Sequence, residues 1–308
     1  MNQVQNWPRV AVVGAGAVGS YFGGLMALAG APAVMIGRQA FVDALKEQGL
    51  FLDTLHFQRR VQVEASVELS AVRSADLVLF CVKATDNSET ARAFAPFLTP
   101  NAIVVSLQNG VDNVEQIREA AGIDVLPAVV YIAVSMDKPG YVKHVSRGDL
   151  VLDGKSEKAR VVAEMLRRAG IPCRLSDNIE GELWAKLLWN CALNAISALG
   201  QARYGQIAES GDARKLVRAV VEEVLAVVHA AKIVLPDVPD AEAAMAGAMN
   251  IATNAAPALS STAQDINRGK RTEIDSLNGF ITRRGTELGV PTPVNHALYT
   301  LVKLLEMR

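Results

Sequence analysis

The sequence has few cysteines, no cysteine pair and no cluster of cysteine and histidine, and these absences exclude several classes of protein. Among its 308 residues are three cysteines, Cys81, Cys173 and Cys191, which are far apart and set among apolar residues. An odd number of isolated cysteines is typical of reduced, cytosolic thiols rather than of a disulfide framework. The four histidines each stand alone, so the sequence predicts no metal site.

Net charge and long apolar runs are also lacking. A net charge of −1 gives no reason to expect nucleic acid or an anionic membrane as a partner. No apolar run reaches the length of about 18 residues that suggests a membrane helix. The start, MNQVQNWPRVAVVGAG, has no charged segment before its apolar stretch, so no signal peptide is predicted. We therefore expect a cytoplasmic protein, a monomer or a homodimer, that acts on small molecules.

The first half of the sequence alternates short apolar runs with helical patterns. Gly140–Asp153 alternates apolar and polar residues, as an antiparallel pair of strands would. Apolar strands separated by helices predict a parallel sheet covered on both faces. The predicted strands are Val10–Val13, Ala33–Ile36, Leu77–Val82, Ile103–Ser106, Leu126–Val134 and, at an edge, Cys173–Leu175. The predicted helices are Val18–Ala29, Phe41–Gln48 and Glu157–Ala169.

From about residue 178 the strand-like runs almost vanish and helical periodicity replaces them. The predicted helices are Glu180–Leu199, Ala213–Ala231, Asp240–Asn250 and Glu273–Leu288. The change of pattern predicts an α/β domain over residues 1–177 and an all-α domain over residues 178–308. A single interleaved α/β domain is the alternative.

A glycine-rich loop, Gly14-Ala-Gly16-Ala-Val-Gly19, directly follows the first strand and opens the first helix. In this context Gly14 allows a tight turn, Gly16 lets the backbone approach a pyrophosphate, and Gly19 lets the helix lie close to the strand. Unpaired N–H groups at the helix start then favour phosphate. The loop predicts a Rossmann-type dinucleotide-binding domain; an ordinary glycine-rich turn is the alternative.

The end of the second strand indicates which dinucleotide is bound. NAD sites usually have an acidic residue there, which holds the ribose 2′-hydroxyl. Here Ile36 leads to Gly37 and Arg38, and no acidic residue follows before Asp43. An arginine can pair with a 2′-phosphate in a forked geometry. We therefore predict NADPH as the cofactor, against the alternative that Arg38 is a solvated surface residue.

Lys83 and Asn109 each follow an apolar strand, in LVLFCVK and IVVSLQN. Side chains at the carboxyl edge of a parallel sheet line the crevice in which ligands bind. Both residues are therefore candidate ligand contacts. The alternatives are polar strand ends in solvent and, for Asn109-Gly110, a plain turn.

Polar residues recur every four positions in the segment EGELWAKLLWNCALNAISALG. They are Glu182, Lys186, Asn190 and Asn194, and the rest of the segment is mostly apolar. Steps of four keep side chains on one slowly drifting stripe of a helix. Such a stripe needs polar partners or a ligand. Helix–helix hydrogen bonds, or a surface pair of Glu182 with Lys186, explain the spacing equally well.

Taken together, the motifs resemble the ketopantoate reductase family over nearly the whole chain. The matching segments are GAGAVG, VKATD, LQNG, KLLWNCALN and SSTAQDINRGKRTEID, and the last is particularly specific. The resemblance implies a Rossmann domain, an all-helical domain and an active site in the cleft between them. The implied reaction is NADPH-dependent reduction of 2-dehydropantoate (ketopantoate) to pantoate, a step in pantothenate and coenzyme A biosynthesis.

The resemblance also implies roles for single residues. Lys186 resembles the family's proton donor. Asn109 and Glu273 match positions that contact both cofactor and substrate, and the backbone at Ala133 matches a cofactor contact. The implied pyrophosphate ligands are Gly14, Ala15, Gly16, Ala17, Val18 and Gly19, and the implied substrate ligands include Asn190, Asn194 and Ser261. Without the combined motif, Ser261 is an ordinary helix-cap serine and Glu273 a solvated acid.

The sequence departs from the family's pattern at Tyr204. The best-studied members have a substrate-contacting asparagine about ten residues after the second helix asparagine, where this chain has Tyr204-Gly205. The tyrosine hydroxyl can replace the amide as donor and acceptor, or its ring can narrow the pocket or pack against the helix start. Other functions therefore remain open: reduction of another branched or hydroxylated 2-oxo acid, and a non-catalytic NADPH sensor. Keeping both Lys186 and Glu273 argues against the sensor.

Overall fold

The computed structural model describes residues 7–307, and its regular elements fall into two groups. The first six residues of the N-terminal segment, for which no signal peptide is predicted, lie outside that range. One group contains every strand of the described chain and the helices up to residue 168, and the other contains helices alone. The strands are β1 (Val10–Val13), β2 (Ala33–Ile36), β3 (Leu50–Asp53), β4 (Gln58–Val61), β5 (Glu64–Ser66), β6 (Leu77–Phe80), β7 (Ile103–Ser106), β8 (Val125–Lys138), β9 (Tyr141–Asp153) and β10 (Cys173–Ser176).

Parallel strands form the part of the sheet that carries the glycine loop. Their order is β5-β2-β1-β6-β7-β8, which is the strand order of a dinucleotide-binding sheet. Both faces of this sheet are covered. In β1, Val10 and Val12 pack into one apolar core, and Ala11 and Val13 pack into the other. Continuous apolar runs form these strands because each residue is buried on one face or the other.

Five helices accompany this sheet. They are α1 (Ala17–Leu28), α2 (Gln39–Gln48), α3 (Asn87–Phe94), α4 (Asn113–Ala121) and α5 (Glu157–Arg168). Helices α3 and α4 contribute Phe94 and Ile117 to one core, and α1 and α5 contribute Phe22 and Leu166 to the other.

The prediction of an antiparallel pair within Gly140–Asp153 is wrong. The segment forms one long strand, β9, which pairs antiparallel with β8 through a turn in which Lys138 faces Tyr141. Its other edge pairs with β3 and then with β10. Arg147 and Gly148 have positive φ values of 60° and 117°, and the register of β8 and β9 shifts beside them. Arg147 and Gly148 therefore form a β-bulge inside a continuous strand.

Seven helices make up the second group, and residues 180–307 contain no strand. They are α6 (Ile179–Gly200), α7 (Tyr204–Glu209), α8 (Gly211–Ala230), α9 (Ala241–Asn254), α10 (Ser261–Asn267), α11 (Asn278–Leu288) and α12 (Pro293–Leu305). The fold class predicted from the sequence, a Rossmann-type α/β part followed by an all-α part, is confirmed.

One predicted helix, Glu273–Leu288, begins later than expected. A short 3₁₀ turn occupies Ile274–Ser276, and the α-helix starts only at Asn278. Leu277 has φ −111° and ψ −109°, which is not helical and separates the turn from the helix. Glu273 therefore lies before the turn rather than inside a helix.

A chain of buried polar side chains connects four of these helices. Asn278 donates from Nδ2 to the carbonyl oxygen of Cys191 on α6, at 3.2 Å, and to Oδ1 of Asn295 on α12, at 2.9 Å. Asn295 donates in turn to Glu223 on α8, at 2.8 Å. Glu223 also accepts the backbone N–H groups of Val294 and Asn295, so it caps α12. Directional bonds at these points fix α11 and α12 against α6 and α8.

Contacts divide the chain into two compact units. The sheet unit comprises the residues up to Gln108 together with Asp112–Ile179, and the helical unit comprises Asn109–Val111 and the residues from Glu180 onward. Asn109 thus groups with the helices, although its sequence position lies within the predicted domain 1–177. Within residues 7–307, no helix is both long and apolar enough to cross a membrane.

Candidate functional site

The glycine loop has the geometry of a phosphate-binding turn. Gly14 has a φ of +97°, and a Cβ atom built on it would lie 2.6 Å from the backbone nitrogen of Val82. Gly19 packs so tightly that a Cβ atom there would lie 2.8 Å from Cγ1 of Val12 in β1. Both positions therefore require glycine, the first for the turn and the second for the approach of helix to strand.

Gly16 differs from its two neighbours in the motif. A Cβ atom built there meets no protein atom within 4 Å, so the space in front of it is open. Gly16 is also the N-cap residue of α1, and no side chain in the described chain caps that helix. An open approach to an uncapped helix start suits the pyrophosphate of a dinucleotide.

The end of β2 lies beside this loop. The backbone N–H groups of Gly14 and Ala15 both donate to the carbonyl oxygen of Ile36, at 3.1 and 2.9 Å. Arg38 follows two residues later as the exposed N-cap residue of α2. The structure thus brings Arg38 to the edge of the sheet that carries the loop, where a ribose 2′-phosphate is recognised in this fold.

Buried amides hold the carboxyl ends of β6 and β7 together. Gln108 donates from Nε2 to the carbonyl oxygen of Val82, at 2.8 Å, and to Oδ1 of Asn87. Asn87, which is 1% exposed, donates in turn to Asn113, at 2.8 Å. Lys83 directly follows Val82 and is half-buried. The sequence reasoning did not identify this network, because amides 21 to 26 residues apart show no pattern before the sheet is assembled.

Two other groups of the sheet unit lie at or near predicted positions. Ala133 is in β8, next to a register shift, so its backbone is placed where the regular ladder is interrupted. Cys81 lies beneath the loop, 3.1 Å from the Cβ atom built on Gly19, and burial raises the pKa of its thiol. The thiol is therefore a structural group that stays protonated, as the isolated cysteines suggested.

In the helical unit, three predicted residues form a hydrogen-bonded series. Lys186 on α6 donates from Nζ to Oδ1 of Asn109, at 2.8 Å. Asn109 donates from Nδ2 to Oε2 of Glu273, at 3.0 Å. The amide therefore separates an ammonium from a carboxylate, and its orientation is fixed by one acceptor contact and one donor contact. This arrangement places an ammonium and a carboxylate within reach of one small ligand.

The polar stripe of α6 divides into buried and accessible members. Glu182 and Asn194 are 6% and 4% exposed, whereas Lys186 and Asn190 are half-buried. Glu182 is thus not a surface residue. The side chain of Asn190 makes no hydrogen bond within residues 7–307 and is half-buried, so its amide can contact a ligand.

Tyr204 engages the last residue of this stripe. Its hydroxyl donates to Oδ1 of Asn194, at 3.0 Å, and burial raises the pKa of the phenol, which keeps it a donor. The start of α7 is held in place by the Tyr204 N–H group, which donates to the carbonyl oxygen of Ala258, at 2.9 Å. With its oxygen occupied, Asn194 offers its N–H₂ group to a ligand.

Ser261 is the first residue of α10 and is exposed, so it is not the cap of that helix. The cap is the preceding residue, Ser260, whose Oγ accepts the N–H of Ala263, at 3.0 Å, and donates to the backbone oxygen of Asn194, at 3.0 Å. This contact holds the residue that precedes Ser261 against the backbone of Asn194. Ser260 was missed in the sequence, although its position one residue before a predicted ligand was a usable signal.

No group of three or more His, Cys, Asp or Glu side chains that could hold a metal ion occurs in residues 7–307.

Comparison with known proteins adds the family. The family model described as ketopantoate reductase PanE/ApbA matches residues 10–156, and the C-terminal model of the same family matches residues 178–306. The 2-dehydropantoate 2-reductase of Pyrobaculum aerophilum is 34% identical, over 96% of this chain and 97% of that protein. The enzyme of the same name from Archaeoglobus fulgidus is 32% identical, over 97% and 98%.

Solved structures agree. A PanE/ApbA family ketopantoate reductase from Ralstonia eutropha is 46% identical and superposes with a TM-score of 0.91, over 97% of this chain and 98% of that one. The ternary structure of D-mandelate dehydrogenase with NADH and anilino(oxo)acetate is 26% identical, with a TM-score of 0.90 and the same coverage. The chain therefore belongs to the ketopantoate reductase family of nicotinamide-dependent oxidoreductases.

Proposed function

We propose that this protein reduces 2-dehydropantoate to pantoate with NADPH, and that Lys186 is the proton donor. The observation that carries the proposal is the series of Lys186, Asn109 and Glu273, joined at 2.8 and 3.0 Å. The reaction would supply pantoate for pantothenate and coenzyme A biosynthesis. We propose that it takes place in the cytoplasm and that the enzyme is a monomer or a homodimer.

The sheet unit fits the cofactor. The open space at Gly16, the uncapped start of α1 and the positive φ of Gly14 suit a dinucleotide pyrophosphate. Arg38, exposed next to this loop, supports NADPH rather than NADH, because a guanidinium binds a 2′-phosphate bidentately. Lys83 and the backbone at Ala133 are further proposed cofactor contacts. When bound, NADPH supplies the hydride that reduces the ketone carbon.

The helical unit supplies the proton and the charge stabilisation. Negative charge develops on the ketone oxygen during reduction, and the Lys186 ammonium stabilises that charge and then donates its proton. Asn109 holds Nζ of Lys186 by its Oδ1 and restrains the Glu273 carboxylate by its Nδ2. Glu273 thus keeps a carboxylate close to the ammonium, with the Asn109 amide between the two.

Substrate recognition falls to uncharged hydrogen-bonding groups of the helical unit. The amide of Asn190, the N–H₂ group of Asn194 and the exposed hydroxyl of Ser261 can bind the carboxylate, carbonyl and hydroxyl oxygens of a 2-oxo acid. None of them adds charge to the site, which already holds the Lys186 ammonium and the Glu273 carboxylate.

A second candidate, reduction of a 2-oxo acid without a terminal hydroxyl, is favoured by Tyr204. Its hydroxyl already donates to Asn194, so its proton is not available to a substrate hydroxyl. A phenol ring also presents apolar surface where an asparagine would present an amide. The structural neighbour D-mandelate dehydrogenase, solved with the aromatic ligand anilino(oxo)acetate, shows that this fold accommodates such a ligand.

The test is a comparison of substrates. We expect the protein to oxidise NADPH when ketopantoate is added, with a kcat/KM higher than for its analogue without the hydroxyl and for phenylglyoxylate. A higher kcat/KM for either competitor selects the second candidate. No oxidation with any 2-oxo acid, together with NADPH binding, would instead identify a sensor.

A further inference from the structure

We propose that the C-terminal helix α12 sets the position of the Glu273 carboxylate, and that Glu306 is the positioning residue. The inference rests on the role of Glu273 in the proposed function. It concerns three residues near the C-terminal end, Tyr299, Lys303 and Glu306, which lie outside the family motifs and touch neither Lys186 nor Asn109 in the described contacts.

Glu306 holds the residue immediately before Glu273. Its Oε1 accepts two hydrogen bonds from Thr272, one from the backbone N–H at 2.7 Å and one from Oγ1 at 2.6 Å. Thr272 is 1% exposed, and the side chain of Glu306 is 9% exposed. Hydrogen bonds from a backbone N–H and a hydroxyl to one buried carboxylate oxygen are charge-assisted and therefore strong. They fix the peptide plane from which Glu273 continues.

A second set of contacts holds the chain after Glu273. Asp275 accepts hydrogen bonds from the Tyr299 hydroxyl, at 2.8 Å, and from Nζ of Lys303, at 2.9 Å. Both donors are on α12. Lys303 also lies 2.9 Å from Oε2 of Glu306, so one ammonium joins the two carboxylates. Helix α12 thus clamps the backbone on both sides of Glu273.

Glu273 itself needs this support. It has φ −99° and ψ 22° as the residue before the 3₁₀ turn, and the Thr272 hydroxyl that donates to Glu306 also accepts the N–H of Ile274, at 3.2 Å. Its described side-chain contact is the hydrogen bond from Asn109, at 3.0 Å. This one contact acts at the end of the side chain and does not fix the backbone from which the side chain extends. The position of Oε2 therefore also depends on that backbone, which Glu306 and residues of α12 hold.

A clamp that serves only stability makes a different prediction from one that positions Glu273. Glu306→Gln keeps the Oε1 acceptor for Thr272 but turns its amide donors towards Lys303, which already carries a positive charge. This variant loses stability and keeps the placement of Glu273. Glu306→Ala loses both the stability and the placement of Glu273. Activity and stability therefore separate between the two variants only if the clamp positions Glu273.

The experiment measures kcat and KM for the 2-oxo acid, together with the free energy of unfolding, in Glu306→Gln, Glu306→Ala and Glu273→Gln. We expect kcat to fall about 10-fold or more in Glu306→Ala, the scale of a small misplacement of a catalytic group. It should fall less than about threefold in Glu306→Gln, at a similar loss of stability. Glu242→Gln, which breaks the exposed Arg218–Glu242 pair of the same unit, is the matched control and should keep its kcat.

Should Glu306→Ala fail to fold, Thr272→Val and Thr272→Ser test the same contact from the other side. The first removes the hydroxyl donor and should lower kcat, and the second restores it. Equal losses of kcat in Glu306→Gln and Glu306→Ala, or unchanged kcat in Glu306→Ala or Thr272→Val, would overturn the positioning role. A fully active Glu273→Gln would instead remove the role of Glu273 in the reaction, and this proposal with it.

Discussion

The candidate functional groups of the two units differ in kind: they are backbone groups in the sheet unit and side chains in the helical unit. In the sheet unit the cofactor loop is made of backbone: Gly14 and Gly19 lack side chains for steric reasons, and Gly16 leaves open space for a ligand. In the helical unit the candidate catalytic groups are side chains that hold one another, with Asn109 placed between Lys186 and Glu273. The first kind of site is damaged by adding atoms, and the second by removing them.

The largest effect is expected when an atom group is removed from the helical unit. Lys186→Ala should fold and still bind NADPH but lose about 10²–10⁴-fold in kcat, because a positioned acid contributes on that scale. Steady-state kinetics and a cofactor titration check this. Lys215→Ala, which removes an exposed lysine from the same unit, should keep its kcat. Near-normal turnover in Lys186→Ala would remove Lys186 from the mechanism.

In the sheet unit we expect an added methyl group to be harmful, whereas in the helical unit the removal of a side chain is. Gly16→Ala meets no protein atom, so stability should be unchanged while NADPH binding weakens on the order of 100-fold, the scale of one lost charge-assisted hydrogen bond. Gly14→Ala should also destabilise the fold by roughly 1–3 kcal/mol, because its φ is +97°. Thermal unfolding and a cofactor titration separate the two. Unchanged NADPH affinity in Gly16→Ala would contradict the loop assignment.

In the sheet unit we expect one side chain, that of Arg38, to contribute to cofactor binding. Arg38→Asp should weaken NADPH relative to NADH on the order of tenfold, since one charge-assisted pair with the 2′-phosphate is replaced by repulsion. The ratio of kcat/KM for the two cofactors measures it. A wild-type protein that uses both equally, or a variant with an unchanged ratio, contradicts the NADPH assignment.

A smaller effect is expected from the contact between Tyr204 and Asn194. Tyr204→Phe removes one neutral hydrogen bond, worth about 0.5–1.5 kcal/mol, so the KM for a 2-oxo acid should rise about 3–10-fold as the Asn194 amide loses its fixed orientation. Tyr141→Phe, which removes a hydroxyl bonded to Asp53 in the sheet unit, is the control and should leave KM unchanged. An unchanged KM in Tyr204→Phe would mean that the ring only packs.

The smallest effect concerns pH and the stability of the helical unit. Burial opposes ionisation of Asp275 and Glu306, but hydrogen bonds from Lys303, Tyr299 and Thr272 hold the pKa of both carboxyls below its usual range. Their stabilisation is therefore present above the ordinary carboxyl pKa of about 4 and is lost as pH falls through the lower folded value.

Lys303→Met isolates this contribution. Burial lowers the pKa of Lys303, but its two carboxylate partners raise it above the usual value, so the ammonium is charged at neutral pH. The variant should lose about 0.5–1 kcal/mol of unfolding free energy at neutral pH, as a partly exposed network does. The difference from wild type should shrink below about pH 4. Denaturant unfolding across that range measures it, and a constant difference would contradict the pairing.

The features that could be predicted from the sequence also differ between the two units. The parallel strands and the glycine loop could be predicted because the apolar runs and glycine spacing that specify them are local. The edges of the sheet were harder to predict: β3, β4 and β5 were missed, and Gly140–Asp153, which forms the single strand β9, was predicted as an antiparallel pair.

In the helical unit the sequence indicated residue types but not partners. Asn109 meets Lys186 across 77 residues and Glu273 across 164, so no spacing rule could show that they form a series. The family motifs identified these residues, and only the fold shows that Asn109 lies between the other two. The contacts of Glu306 had no sequence signal, because nothing in the terminal helix pattern distinguishes a carboxylate that binds a backbone N–H from a solvated one.

The proposed function depends on hydride transfer from NADPH to the ketone carbon of ketopantoate. Turnover with NADPH that carries deuterium at the transferable position of the nicotinamide C4, followed by mass and NMR analysis of the product, tests this transfer. We expect pantoate with one deuterium on C2, formed at a rate that falls by at least about tenfold in Lys186→Ala. Unlabelled product, or no product from ketopantoate, would contradict it.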